Sequence, residues 1–103
     1  MGRYIAEREL LYSIKGETTR KKLIIRICEP YPIEKSSWNF EFPPGVFACK
    51  IIFDGLPNRL VEEVQGADSI QALALATDVD SYLKGLEKKY NLYWASGEPY
   101  FDE

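Results

Sequence analysis

The residues with reactive side chains are few: the adjacent acids Glu62 and Glu63, the acid pair in Asp78-Val79-Asp80, two cysteines at Cys28 and Cys49, Ser96 beside Gly97, and the basic run Arg20-Lys21-Lys22. The chain has no histidine, so it lacks the usual general base at neutral pH and the commonest metal ligand. No imidazole is present to activate Ser96, and no Gly-rich phosphate loop or dinucleotide fingerprint occurs. Asp78-Val79-Asp80 begins like a calcium loop, but Leu83 stands where the sharp turn requires glycine, and the spacing sets the two carboxylates in different directions on a helix. A solvated helix face is the expectation there. On a strand, Glu62 and Glu63 point to opposite sides unless a bulge leaves both in solvent; the bulge is the reading adopted, and an inward Glu62 with a raised pKa the alternative. No catalytic residue, cofactor or metal site is assigned.

Two cysteines supply neither a disulfide framework nor a tetrahedral zinc site, and reduced thiols in a cytosolic compartment are expected. Thirteen Lys and Arg against sixteen Asp and Glu leave a net charge of −3, without the broad positive field that holds nucleic acid. No aromatic flanks the basic run in sequence, so it reads as a solvated turn. The N-terminus lacks a signal-peptide core, and no stretch approaches the roughly 20 apolar residues that span a bilayer, so no membrane partner is expected.

The 103 residues, 46% hydrophobic and 14% aromatic, suit one domain over 1–103, with an expected radius of gyration of roughly 13 Å. Alternation predicts strands over Tyr4 to Lys15, Lys22 to Glu29, Val46 to Phe53 and Arg59 to Gln65. In the first, Arg8 and Leu11 break the pattern, as a bulge or an Arg stem lying on apolar surface would allow. Tyr31 to Gly45, bracketed by prolines, reads as a long loop carrying Trp38, with a short edge strand at Trp38 to Phe42 as the alternative. Spacing from Ala72 to Tyr90 predicts one helix from Ser69 to Lys89, capped by Asp68 or Ser69. Leu92 to Ala95 then folds back as a last short strand, with Gly97-Glu98-Pro99 as a turn. The architecture is α+β: an antiparallel sheet of four or five strands with one long helix across one face.

Strand parity places Cys49 in the core and Cys28 on the other side of the sheet, too far around to bond. That second face carries Ile5, Ile24, Cys28, Val46 and Ile52 among Glu7, Glu9, Arg26 and Lys50, a mixture typical of an interface unless the Trp38 loop or the tail covers it.

The segments Ala6-Glu7-Arg8, Ile25 to Pro30, Asp54-Gly55-Leu56-Pro57, Gly66 to Leu73, Leu92-Tyr93-Trp94 and Gly97 to Tyr100 resemble a family of small bacterial single-domain proteins of unknown function. The resemblance implies a bacterial cytosolic protein and transfers no catalytic residue. A weaker likeness, in Asp54 to Pro57 and Gly66 to Ala72, is to HicB-type antitoxins, with the turn reversed and Ala67 inserted. The function expected is a non-enzymatic protein-interaction module, a homodimer or small partner subunit, with Trp38, Tyr93, Trp94, Ile24 and Arg26 as contact residues. The alternatives are a small-molecule-binding domain, its pocket between the sheet and the Trp38 loop beside Glu62, or an antitoxin-like regulator.

Overall fold

The structure, a computed structural model, describes residues 3–33 and 45–101. Strands β1 (Tyr4–Ile14), β2 (Lys21–Cys28), β3 (Tyr31–Pro32), β4 (Phe47–Asp54) and β5 (Leu60–Gly66) precede helices α1 (Ser69–Thr77) and α2 (Val79–Leu86), and β6 (Tyr90–Trp94) follows. All pairings are antiparallel, and six strands form one sheet. Because β5 runs along one edge of β4 from Phe47 to Phe53, β2 and β3 must share the other edge. The six strands therefore occupy five lanes, β5, β4, β2 with β3, β1 and β6.

Two register slips occur at one end of this sheet. In an unbroken ladder Tyr31 would face Phe47, but it stands opposite Ala48. Pro30 has no N–H for the ladder, and the Cys28 carbonyl accepts the Cys49 thiol at 3.1 Å. On β1 a bulge between Tyr4 and Ala6 brings Tyr4 opposite Cys28 instead of Glu29, while the Glu29 N–H donates to the Arg3 carbonyl at 2.7 Å. Side chains alternate along a strand, so each slip transfers one tyrosine to the other face.

The core lies between the sheet and the helices. Leu10, Tyr12, Leu23, Ile25, Ile51 and Phe53 are all essentially inaccessible, and Ala72, Ala76, Val79 and Leu83 meet them from above. Arg8 shares the face of Leu10, as the lying-stem reading of its broken pattern requires. The helix is bent at Asp78, where one continuous rod was expected. Asp78 takes a non-helical ψ of 62°, and its carboxylate accepts the Ser81 hydroxyl at 2.7 Å, the local competition by which Asp and Ser interrupt helices. At its start Asp68 is the cap, accepting from the Gln71 N–H at 2.8 Å. The helix ends at Leu86 rather than Lys89. Tyr90 belongs instead to β6, facing Ile14 across the ladder and meeting the Tyr12 ring edge-on at 5.3 Å. Long strands stretch the chain to a radius of gyration of 15.7 Å.

Both sheet edges are guarded. The tail folds along β6, where Trp94 N–H donates to the Glu98 carbonyl at 2.8 Å and Tyr100 N–H to the Leu92 carbonyl at 2.9 Å. On β5 the adjacent Glu62 and Glu63 would meet like charges in a self-paired antiparallel edge. A close approach joins sheet to helix: a Cβ at Gly66 would lie 2.5 Å from the Ala72 nitrogen. Gly66→Ala should therefore lower stability by about 1–3 kcal/mol through overpacking, measured by urea denaturation.

Candidate binding face

The helices leave one sheet face without helical cover, and the two slips furnish it. At its centre Arg26 on β2 reaches both neighbouring strands, donating from Nε to Glu7 on β1 at 2.9 Å and from Nη1 to Asp54 on β4. These bonds, Asp54 first and Glu7 second, raise the pKa of the guanidinium and hold it charged. Its flat side also lies 5.2 Å from the centre of the Tyr4 ring, a cation–π contact that exists because the β1 bulge turned Tyr4 to this face.

Beside Arg26 the face sinks into a hollow of about 670 Å³. Cys28, Ile52 and Val61 give it an apolar floor, the slipped Tyr4 and Tyr31 stand around it, and Lys50 and Arg59 bring cations to it. The Lys50 ammonium lies 5.8 Å from the Tyr31 ring centre. Glu29 is the acid of the lining, and Arg3 pairs with it at 3.9 Å.

Cys28 lines this hollow while Cys49 sits in the core, so the cysteines occupy opposite faces and both are free, as parity predicts. Burial, and secondarily the neighbouring Cys28, push the Cys49 thiol above its ordinary pKa, which keeps it protonated and unreactive.

Ile24 and Arg26 lie on the helix-free face, where the sequence places them. Tyr93 and Trp94 do not act together: being adjacent on β6, they point to opposite sides of the sheet. Tyr93 pairs with Leu11 on the helix-free side, and the Arg20 guanidinium stacks 3.7 Å from its ring centre. The basic run thus has an aromatic neighbour after all, supplied by the far end of the chain. Trp94 shares the helix side with Leu10, 4.5 Å from the Tyr100 ring and 5.6 Å from Arg8. Trp38 lies outside the described residues.

The acids also sort differently from expectation. The ladder runs without a bulge through Glu62 and Glu63, so Glu62 shares the face of Ile51 and Glu63 that of Lys50. Glu62 is half-buried near Tyr82, whose phenol is raised by burial first, then by the charges of Glu62 and Asp78. Asp80 does more than meet solvent. It accepts the Tyr100 hydroxyl, whose oxygen accepts Arg8 Nη1 at 2.6 Å. Among the described residues no cluster of three His, Cys, Asp or Glu is placed to hold a metal, and no helix is long and apolar enough to cross a membrane.

Residues that sequence reasoning misses are Tyr4, Arg59, Val61 and Tyr31, which the prolines around it assign to a loop and the structure to β3. Pro30 was the signal for the first slip, since a proline within a paired strand marks a bulge or an edge. Ile5, expected on the open face, occupies the bulge while Tyr4 takes the place beside Cys28. No family model, curated protein or solved structure matches this chain significantly.

Two outcomes follow for the tail. Trp94→Ala should leave the protein folded but less stable by about 2 kcal/mol, seen as a lowered urea midpoint, because its burial is only partial. Tyr100 has a folded pKa raised above its ordinary 10.0 by burial first and the Asp80 bond second, with Arg8 opposing. Its contribution is complete below that value and disappears as pH rises through the folded pKa, since the unfolded chain then binds fewer protons. Tyr100→Phe should accordingly flatten part of the fall in melting temperature above pH 10.

Proposed function

We propose that this chain is a non-enzymatic interaction module that meets a partner protein through its helix-free sheet face. The observation that carries this reading is the pairing of half-exposed apolar groups, Tyr4 and Val61, with a hollow on a face that no described helix covers. Exposed apolar surface rimmed by charge is the usual character of a contact surface. The guarded edges support it as well, because they leave strand addition without a free, uncharged strand. Chemistry has less support: Glu7 and Asp54 are held by Arg26, Glu29 by Arg3, and the buried thiol of Cys49 is protonated.

The partner we favour is a different protein with an acidic contact surface. A two-fold self-contact centred on the hollow would set Lys50 and Arg59 against their own copies. The purified chain should run as a monomer by light scattering, and Val61→Glu, an exposed site that the fold tolerates, should abolish capture of an acidic partner from a bacterial lysate. A dimer that Val61→Glu dissociates would replace this reading with self-association, and capture unaffected by Val61→Glu would remove the face from the argument.

The hollow favours a second reading, that the same face binds a small molecule. Its volume of about 670 Å³ falls within the range of roughly 300–1,000 Å³ typical of ligand sites. The site lies on the sheet surface across β1 to β5, without Glu62. The HicB likeness rests on the β4–β5 turn and the start of α1, neither of which contributes to it beyond Arg59 and Val61 at the β5 end.

A further inference from the structure

We infer that the hollow is a site for a small organic anion, an aromatic or branched apolar body carrying one carboxylate. The inference rests on the small-molecule reading and adds the ligand's chemistry. Two irregularities of the backbone, on different strands and with different local causes, each turn a tyrosine onto this one spot: the β1 bulge turns Tyr4, and the slip after Pro30 turns Tyr31. Bulges bend and twist a strand and tend to occur where a side chain must be re-aimed for function. Here both re-aimed side chains reach the same hollow.

The lining then selects the ligand. Ile52 and Cys28 are nearly inaccessible at its floor, and the Tyr4 ring is half exposed beside them. The exposed part of this surface, Tyr4 and Val61, gains by covering with an apolar body. The charges are not balanced. Glu29 has Arg3, and Arg26, the cation on the Tyr4 ring, is already held by two carboxylates. Lys50 and Arg59 have no ion-pair partner among the described residues; Glu63 stands opposite Lys50 in the ladder but neither pairs with it nor lines the hollow, so two cations line it without a bound carboxylate on a chain whose net charge is −3. A carboxylate fits that excess, and Arg59 can take it through two parallel N–H bonds. A cationic ligand would meet repulsion, and a neutral one would gain nothing from the ammonium and guanidinium that line the hollow.

The probe is 2-naphthoate, with 2-naphthamide as its neutral counterpart, each titrated into the full chain labelled with nitrogen-15. At the usual efficiency of ligands this small, the dissociation constant should be about millimolar. Amide shifts should concentrate at Cys28, Tyr31, Ile52 and Val61, and naphthoate should bind at least about fivefold more tightly than the amide. In the double variant Lys50→Gln with Arg59→Gln, both exposed sites, the preference should fall to unity while the thermal midpoint stays unchanged. Equal binding of acid and amide at these residues would overturn the anion and leave the small-molecule reading standing. No binding by either, or shifts confined to another surface, would overturn both.

Discussion

In a pleated strand successive side chains face opposite ways, so inserting or skipping one residue reverses everything beyond it. This sheet uses that rule twice at one end. Without the slips Tyr4 and Tyr31 would point to the helix side with Ala6 and Phe47, and the other face would be a row of Cys28, Lys50, Ile52 and Val61 with no walls. With them the core keeps its apolar row of Leu10, Leu23, Ile25 and Phe53, while the opposite face acquires two rings. The cost in ladder bonds is small because the liberated groups find other partners: the Cys28 carbonyl has the Cys49 thiol, and the Glu29 N–H has the Arg3 carbonyl.

The other half of the design is the division of charge between the faces. Arg26 is fixed by acids from the strands on both sides, which ties three adjacent lanes together with side chains as well as backbone. On the helix side Arg8 lies against Trp94 and Tyr100, and the phenol passes the contact on to Asp80 of α2. Each arginine is a cation placed on aromatic surface, yet one organises the open face and the other anchors the tail. Alternation in the sequence sends Arg26 to the open face, whereas Arg8 falls among Ala6 and Leu10 and its partners Trp94, Tyr100 and Asp80 are too distant in sequence to be read locally.

What was legible in the sequence is what depends on neighbours along the chain. Period-two stretches located β1, β2, β4 and β5, the aspartate before Ser69 located the helix cap, and Gly97-Glu98-Pro99 marked the turn that returns the tail. The bend at Asp78 escaped because the apolar spacing from Ala72 to Leu83 continues through it, while the interruption comes from a side-chain contact with Ser81. Tyr90 escaped because its spacing suits the helix equally well, and only the ladder with Ile14 decides. Parity arguments placed Ile24, Arg26, Cys28 and Cys49 correctly, since they lie inside regular ladder, and misplaced Ile5, which lies in a bulge. The hollow could not be read because its two walls, Tyr4 and Tyr31, stand where regularity fails, although its floor lies in regular ladder.

β1 lies between β2 and β6, so the first strand of the chain has the last strand as a neighbour. On a ribosome, β1 and β2 can form their hairpin early, but the far edge of β1 stays open until β6 has emerged. During that interval the Leu10 to Ile14 edge, which β6 later pairs, is available to any other extended chain. Closing the sheet joins residues some eighty positions apart, the kind of distant pairing that slows folding. The aromatic residues of 90–101 thus arrive together, long after β1, and the seal they place on that strand is what completes the sheet.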